Sequence, residues 1–481
     1  MTWEAVIGVE THVELRTASK MFCGCPVDFS SEPNTNVCPV CLGLPGALPV
    51  PNERAIEMTV AVGLALGCRI TTDSEFSRKN YFYADLPKNY QISQFDLPLC
   101  VAGSLDVEAG EETVAVGITR VHLEEDTGKS THLGGSGRIH AAEAALIDFN
   151  RSGVPLMEVV TEPDMRTPEQ ARAYAAELRA IVLALGVSDA RLEEGSLRFD
   201  ANVSIRPAGD TGLGVKVEVK NMNSLRSLQR ALAFEIDRQT ALADAGEPIA
   251  QETRHWDEAA GSTKPGRSKE QSSDYRYFPE PDLVPLRVDD EYRERVAASL
   301  PELPGRRRSR YRAMGLDAEA ARLLTEGEGL APIFEDAVAA GADPAAAANW
   351  LTGEVVAHLR RSEQSLAETS LDGASVAELV GMVADGELSA TAAKTVLAGV
   401  LDGEGGPRQV AAARDLMQMD DADALEAAVE AAFAAHPDEL ARLRGGDQKL
   451  IGFFVGRVMQ ATGGKADPGK VSGLIRQKAS E

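Results

Sequence analysis

In the segment 6–15, which reads VIGVETHVEL, the polar residues Glu10, His12 and Glu14 recur at every second position after an apolar run. Because successive side chains of a strand point to opposite faces, Glu10, His12 and Glu14 should share one face and leave an apolar face behind them. The pattern predicts a β-strand that is buried on one side. Its polar side has two interpretations, a solvated outer face or a row of metal ligands, and this segment alone does not decide between them.

A helical period replaces the alternation after Thr167. This residue can cap a helix that has Pro168 at its first position, and Gln170 can complete a capping box. Apolar side chains then recur on one face as far as Gly186. The pattern predicts an amphipathic helix that ends at this glycine.

The texture of the sequence changes along the chain. Strand-like runs at 197–205 and 215–219 follow the predicted helix, which indicates an α+β domain. Later segments are rich in Ala, Leu, Glu and Arg and indicate helices, interrupted by the flexible GEGGP. The predicted parts are an α+β domain at 1–292, an all-α helical domain at 293–402, a hinge at 403–407 and a small all-α tail at 408–481.

Length and composition describe a large globular protein. A chain of 481 residues is typical of about three domains, and 44% hydrophobic residues are enough for buried cores. The first residues contain acids and no long apolar run, so they do not resemble a cleaved signal. No stretch approaches the roughly 18 apolar residues of a membrane span. We therefore expect a cytoplasmic protein.

The charge is strongly negative overall, with a basic exception near the end. A net charge of −25 argues against a protein that coats nucleic acid through a general positive field. Between Asp447 and Ser480, however, the chain has six basic residues and only two acidic ones. This segment is the best local candidate for phosphate contact, although a solvated basic helix face explains the same composition.

Four of the six cysteines are clustered as Cys23-x-Cys25 and Cys38-x-x-Cys41. In a reducing compartment such spacing indicates a metal site more than disulfides. Four thiolates on two short loops can bind Zn²⁺ tetrahedrally and leave no open position for water. The sequence predicts a structural zinc site that holds the loop 23–41.

Acidic residues recur in the first domain. Glu125 belongs to the run HLEEDTGKS, and Glu158 lies in the apolar run 155–160, where an unpaired carboxylate would be costly. Mg²⁺ prefers oxygen ligands and usually bridges to phosphate. A metal ion or an arginine partner is therefore predicted.

Cations lie among aromatic residues at 78–83 and 88–91. Lys79, Lys88 and Asn89 are the polar residues of interest there. Such segments can receive a nucleotide or an RNA end, and they can equally be an ordinary amphipathic rim.

A series of motifs runs through the chain in one order. They are VIGVETHVEL, SRKNYFYADLPKNYQISQFDLPL, HLEEDTGKSTH, DFNRSGVPLMEVV, RLEEGSLRFDANVSIRP, VEVKNMNSL and SSDYRYFPEPDL. Together they closely resemble the B-subunit family of bacterial glutamyl/aspartyl-tRNA amidotransferases. The resemblance covers essentially the whole chain, including the tail with KLIGFFVGRVMQATGGKADPGKV. The cysteine quartet matches the zinc-bearing members; other members lack it, so zinc does not define the function.

The resemblance implies a first domain that is a glutamine-synthetase-like cradle with a mostly antiparallel sheet. This domain would use ATP and Mg²⁺ to phosphorylate the side-chain carboxylate of mischarged Glu-tRNA(Gln) or Asp-tRNA(Asn), after which ammonia displaces the phosphate. The implied catalytic residues and Mg²⁺ ligands are Glu10, His12, Glu125 and Glu158. Glu14 is expected outside the ligand set, and Lys79, Lys88 and Asn89 near phosphates or the ammonia path.

The same resemblance implies partners. Ammonia would come from an amidase A subunit, and a small C subunit would complete a heterotrimer, since the chain shows no recognisable glutaminase nucleophile. The tail would contact the body of tRNA(Gln) or tRNA(Asn) through Lys449, Arg457, Lys465 and Lys470. The alternative of another class is a non-catalytic, zinc-stabilised adaptor that only presents tRNA to the amidase. The sequence does not distinguish whether one or both mischarged tRNAs are converted.

Overall fold

The computed structural model describes residues 2–28, 30–133, 144–268, 272–327, 329–418, 422–463 and 465–480. The chain divides into two compact units, the first ending at Pro304 and the second beginning at Gly305. Across the described ranges, no helix is both long enough and apolar enough to cross a membrane.

A nine-stranded sheet dominates the first unit. Its strands, in spatial order, are β14 (Ser262–Ser268), β13 (Glu252–Asp257), β12 (Val217–Met222), β11 (Leu197–Pro207), β1 (Trp3–Glu14), β10 (Pro155–Thr161), β7 (Glu112–Glu125), β6 (Cys100–Ala109) and β2 (Arg69–Ile70). Neighbours are antiparallel except for the parallel pair β12 and β13. The mostly antiparallel sheet of the prediction is therefore present.

Short strands form three smaller sheets. They are β15 (Phe278–Pro279) with β4 (Ser77–Asn80) and β5 (Tyr90–Ser93), β16 (Leu286–Arg287) with β3 (Asp73–Ser74), and β8 (Lys129–Leu133) with β9 (Ala144–Asp148). The helices of this unit are α1 (Glu53–Ala65), α2 (Pro168–Ala184), α3 (Leu225–Asp244) and α4 (Asp290–Ala298), with a 3₁₀ turn at Ser272–Tyr275.

The apolar face of the large sheet packs against helices. Val9 and Val13 of β1 are 1% and 0% exposed and share a core with Tyr174 of α2. Their neighbours Glu10 and His12 remain partly exposed on the other face. The predicted opening strand with one buried side is confirmed, and the hydrophobic core lies on the helical side of the sheet.

The predicted capped helix is also confirmed as α2. The hydroxyl of Thr167 accepts a hydrogen bond of 3.1 Å from the backbone N–H of Gln170, and Pro168 is the first helical residue. Gly186 follows the helix with φ of +65°, a conformation that favours glycine. The predicted strands at 197–205 and 215–219 correspond to β11 and β12, displaced at their ends by about two residues as expected for element boundaries.

Every regular element described in the second unit is helical. They are α5 (Pro304–Ala313), α6 (Ala318–Glu326), α7 (Leu330–Ala339), α8 (Pro344–Asn349), a π-helical turn (Trp350–Val355), α9 (Val356–Ser362), a 3₁₀ turn (Leu366–Glu368), α10 (Gly373–Ala384), α11 (Ala390–Leu401), α12 (Pro407–Ala413), α13 (Ala422–Ala435), α14 (Pro437–Arg444), α15 (Leu450–Ala461) and α16 (Pro468–Ser480). A first core extends from Tyr311 to Ala411, and a second from Leu425 to Ile475.

The predicted hinge 403–407 lies between two residues of the first of these cores, Leu401 and Val410. It connects α11 with α12, and Val410 of α12 is 1% exposed in the same core as α11. The guanidinium of Arg414 also forms an ion pair with Glu404 across this connection. Residues on both sides of 403–407 thus pack in one core, the core of the last helices begins at Leu425, and the hinge stays a prediction.

Candidate functional site

The face of the large sheet opposite the helices carries charged residues at every second position. On β1, His12 lies opposite Glu158 of β10, and Glu158 lies opposite His122 of β7. On the other side of β1, Arg198 of β11 lies opposite His12. Side chains of paired residues share a face, so four strands bring these groups together.

His12, Glu158 and Glu124, a second residue of β7, form a group that can hold a metal ion. The Nε2 atom of His12 is 3.6 Å from a carboxylate oxygen of Glu158 and 3.8 Å from one of Glu124. One ligand atom from each residue lies within 4.8 Å of the others. These separations are too long for hydrogen bonds, yet they are suitable for atoms that surround a cation.

The protonation of His12 is compatible with such a role. Burial, followed by the positive charges of Arg198, Lys220 and Lys79, holds the pKa of His12 well below its usual value. The imidazole is therefore neutral at pH 7, which is the form that binds metals. A neutral imidazole can bind a cation, whereas an ion pair with Glu124 or Glu158 would need a protonated one.

Glu124 and Glu158 are buried, so their ionised forms need a positive charge nearby. Burial raises the pKa of Glu124, and burial together with the charge of Glu10 raises the pKa of Glu158 to about 7. Burial alone would lower the pKa of Lys79, but Glu124 and Glu158 raise it well above its usual value. Lys79 thus stays protonated beside the group, and a bound cation would complete the neutralisation.

Glu125, a predicted Mg²⁺ ligand, contacts a different set of groups from the three-residue group. Its carboxylate forms an ion pair with Lys88 and accepts a hydrogen bond of 2.9 Å from the backbone N–H of Ile92. The structure brings Glu124, and not Glu125, to His12 and Glu158. Sequence reasoning missed Glu124, although its spacing of two residues from His122 was the available signal.

Glu10 is next to this group on β1. Its carboxylate accepts a hydrogen bond of 2.9 Å from the side-chain amide of Asn202. Opposite Glu10, the carboxylate of Asp200 is 2.6 Å from the ammonium of Lys220. The structure therefore places Glu10 in the charged row but not in the described three-residue metal group.

Glu14 is buried, with 8% exposure, beside another acid. Burial and then the charge of Asp126 raise the pKa of Glu14 to about 8. Burial would raise the pKa of Asp126 as well, but Arg198 and Arg151 lower it to about 2. Near pH 7, therefore, the protonated form is favoured for Glu14 and the ionised form for Asp126.

The remaining predicted residues of this region flank the group. The ammonium of Lys79 lies 5.1 Å from the ring centre of Tyr275. Lys88 pairs with Glu125, as described, and is close to the ring of Tyr90. Asn89 is exposed and adopts φ of +61° in a turn.

The four clustered cysteines form the second group that can hold a metal. Their sulfur atoms all lie within 4.8 Å of one another. Cys38 and Cys41 are free thiols with sulfurs 3.8 Å apart, and Cys23 and Cys25 are likewise free. A hydrogen bond from Cys23, with further help from the charge of Lys20, lowers the pKa of Cys41 to about 5. The donor set fits a soft divalent cation such as Zn²⁺.

The basic residues predicted for RNA contact lie on the last helices. Lys449 precedes α15 and is exposed, as is Arg457 within α15. Lys465 pairs with Asp415, and Lys470 lies exposed in α16.

Two family models match the chain. One, described as the GatB/GatE catalytic domain, covers residues 5–294. The chain belongs to the GatB/GatE family. The three-residue metal group lies inside this match, and a second GatB domain, at residues 332–479, contains the basic residues of α15 and α16.

Curated relatives of this GatB/GatE chain are similar along its whole length. Proteins named as the B subunit of an aspartyl/glutamyl-tRNA(Asn/Gln) amidotransferase include one from Frankia casuarinae, 53% identical over 99% of this chain and 95% of its own. The proteins of that name from Salinispora arenicola and Synechocystis sp. are 51% and 50% identical, over 99% and 98% of this chain and 96% and 97% of their own.

Proposed function

We propose that this chain is the B subunit of a tRNA-dependent amidotransferase that converts mischarged Glu-tRNA(Gln), Asp-tRNA(Asn) or both. The group of His12, Glu124 and Glu158 beside Lys79 is the observation that supports an ATP-dependent reaction. The names of the relatives supply the substrate class. A side-chain carboxylate is a poor acceptor for ammonia, so it must first become an acyl phosphate.

The chain's own residues would bind and orient the phosphates. His12, Glu124 and Glu158 would hold Mg²⁺, which when bound supplies charge neutralisation during phosphoryl transfer. Lys79 adds a fixed positive charge toward the transferred phosphate. The ligand set that the resemblance implies, with Glu10 and Glu125, is the alternative to be tested against this one, and Lys88 and Asn89 remain predicted neighbours of the phosphates or of the ammonia path.

Ammonia would reach this site from a partner. We propose a heterotrimer with an amidase A subunit and a small C subunit, working in the cytoplasm. The predicted domain limits at 292 and 408 and the likeness of the sheet to the glutamine synthetase cradle belong to this proposal. Structural Zn²⁺ would be held by Cys23, Cys25, Cys38 and Cys41, and tRNA by Lys449, Arg457, Lys465 and Lys470.

The test uses the assembled complex with ammonium as nitrogen donor, so that the glutaminase step is not needed. His12→Ala and Glu158→Gln should abolish tRNA-dependent ATP hydrolysis and amide formation together, while the partner still hydrolyses glutamine. Glu111→Gln, which changes an exposed carboxylate in a turn, serves as the matched control. Retention of full ATP turnover by both site variants would instead indicate a tRNA-presenting adaptor.

A further inference from the structure

The segment that carries the four clustered cysteines, here called the cysteine group, contacts Lys88 at both of its ends. Phe22 directly precedes Cys23 and is buried, and the ammonium of Lys88 lies 5.9 Å from the centre of its ring. This distance is in the range of a cation–π contact. Gly43, two residues after Cys41, lies against the aliphatic stem of the same lysine. The two contacts are therefore on either side of the cysteine group in the sequence.

Gly43 lies so close to Lys88 that no side chain fits between them. A Cβ atom at Gly43 would be 2.5 Å from Cγ and 3.2 Å from Cα of Lys88, and the φ of +66° also favours glycine. The backbone N–H of Gly43 donates a hydrogen bond of 3.0 Å to the carbonyl oxygen of Val40. Val40 lies between Cys38 and Cys41. The position of Gly43 therefore follows the turn that carries these two thiols.

The cysteine group is also close to Glu125, the partner of Lys88. A Cβ atom at Gly153 would lie 3.6 Å from Cβ of Cys41 and 3.8 Å from a carboxylate oxygen of Glu125. Gly153 thus lies beside both the last cysteine of the group and the acid of the ion pair. The contacts of the cysteine group therefore reach both members of the pair.

Lys20 joins the two segments that meet at this point. It is 1% exposed, and its ammonium donates hydrogen bonds of 2.8 Å to the carbonyl oxygen of Asn36 and of 3.1 Å to that of Phe149. Asn36 belongs to the loop between the cysteines, and Phe149 is four residues before Gly153. A buried ammonium without acceptors is costly, so these bonds hold the cysteine loop to the segment 149–153.

We infer that the cysteine group positions Lys88 for its ion pair with Glu125, with Gly43 as the positioning residue. A cation bound by the four sulfurs would fix the turn before Gly43, and loss of the cation would free this turn and open the pair. The inference rests on the proposed function for the zinc that the group would hold. A zinc site that only stabilised the loop 23–41 would leave Lys88 unchanged.

The test measures how readily a reagent reaches the amine of Lys88. Acetic anhydride is applied to the assembled complex, and peptide mass spectrometry gives the labelling rate of Lys88 relative to the exposed Lys449. Removal of zinc by a chelator under reducing conditions should raise this rate at least about tenfold, and reloading with Zn²⁺ should restore it, because local opening controls access to a buried group. Lys220, which pairs with Asp200 in the same unit, should keep its rate.

A glycine pair makes the test independent of metal removal. Gly43→Ala should raise the labelling of Lys88 in the Zn²⁺-loaded complex, because the added methyl group displaces the stem of the lysine. Gly46→Ala is the matched control, since Gly46 has a similar φ of +84° but a Cβ atom there has no neighbour within 4 Å. Both substitutions thus introduce comparable backbone strain three residues apart, and only the first one contacts Lys88.

The outcomes separate this inference from the proposed function. A complex without tRNA-dependent ATP turnover would contradict the proposed function, while the labelling of Lys88 would still decide the inference. Rates at Lys88 that agree within about twofold between the metal-free and the Zn²⁺-loaded complex would overturn the inference. Equal labelling of Lys88 in Gly43→Ala and Gly46→Ala would also overturn it. An equal rise at Lys88 and Lys220 would indicate general loosening, with the same consequence.

Discussion

Glu158 of β10 lies directly opposite His12 of β1, with its carboxylate oxygen 3.6 Å from the imidazole Nε2 atom. The same oxygen is 3.4 Å from Nε2 of His122 on the next strand. Adjacent antiparallel strands fix these positions more firmly than a loop would. The alternation of side chains along paired strands thus determines which residues can bind the same metal ion.

The first prediction concerns Glu124 and Glu125. Glu124→Gln should raise the Mg²⁺ concentration needed for half-maximal ATP hydrolysis by at least about tenfold, because a carboxylate oxygen of the metal group is lost. Glu125→Gln should change this Mg²⁺ requirement much less, because its carboxylate binds Lys88. A Mg²⁺ titration in which only Glu125→Gln has an effect would favour the ligand set implied by the sequence.

The second prediction concerns the ion pair of Lys88 and Glu125, whose side chains are 5% and 4% exposed. Lys88→Met should lower the free energy of unfolding of the isolated chain by roughly 3–5 kcal/mol, since it leaves a buried carboxylate without its partner. The measurement is denaturant-induced unfolding without nucleotide.

A surface pair provides the control for this measurement. Lys264→Met removes a cation that is 48% exposed and pairs with Asp257. This change should cost no more than about 1 kcal/mol. Equal effects of the two substitutions would show that burial does not strengthen the pair of Lys88.

The third prediction is a pH dependence that Mg²⁺ suppresses. The pKa of Glu158 is raised to about 7, mainly by burial, so its protonated form is favoured in the folded chain. This contribution to stability is complete below the usual pKa near 4.5 and is lost as pH rises through about 7, amounting to at most about 3 kcal/mol. Unfolding experiments from pH 4 to 8 should show the loss in the wild type.

Two comparisons isolate the carboxyl group responsible. Saturating Mg²⁺ should flatten the pH profile, because a cation favours the ionised carboxylate. Glu158→Gln should remove the share of this dependence that ends near pH 7 without Mg²⁺, and it should leave the share that the raised pKa of Glu14 contributes. The explanation fails if the variant and the wild type lose stability in parallel.

The fourth prediction concerns the cysteine group. Metal analysis should find one Zn²⁺ per chain, and Cys41→Ser should lower its retention because one of four thiolates is replaced. Chelation should increase proteolytic cleavage within 23–41 before activity falls. Cys68→Ser, at a buried thiol outside the group, is the control for general loosening. Unchanged zinc content in Cys41→Ser would contradict the four-sulfur site.

Local patterns predicted the elements of the fold, whereas the grouping of side chains at the site depends on how the strands pair. The strand at 6–15 and the helix after Thr167 follow from periodicity and capping, which are properties of neighbouring residues. Whether Glu124 reaches Glu158 and His12 depends on the register of β7 against β10, where Glu158 lies opposite His122. This register is set by contacts between distant segments.

The pKa of Glu14 and the packing around 403–407 also depend on contacts between residues that are distant in the sequence. The pKa of Glu14 is raised by burial and then by the charge of Asp126, a residue that is distant from Glu14 in the sequence. The segment 403–407 has the composition of a linker, yet Val410 anchors the following helix in the core that contains α11. Glycine and proline identify a turn, and a hinge at this turn stays a prediction.

The last prediction places tRNA contact on α13–α16. Deleting residues 422–481 removes these helices while α12 keeps its place in the first helical core. The KM for tRNA should rise with a smaller effect on kcat, because contacts made equally in the ground and transition states change binding alone. The slope of log affinity against log salt should become shallower by up to about one unit for each phosphate that the protein no longer neutralises. Lys449→Gln with Arg457→Gln should reproduce part of both effects, and Lys394→Gln on α11 should reproduce neither. If the truncated complex binds tRNA with the original affinity and salt slope, these basic residues form only a solvated helix face.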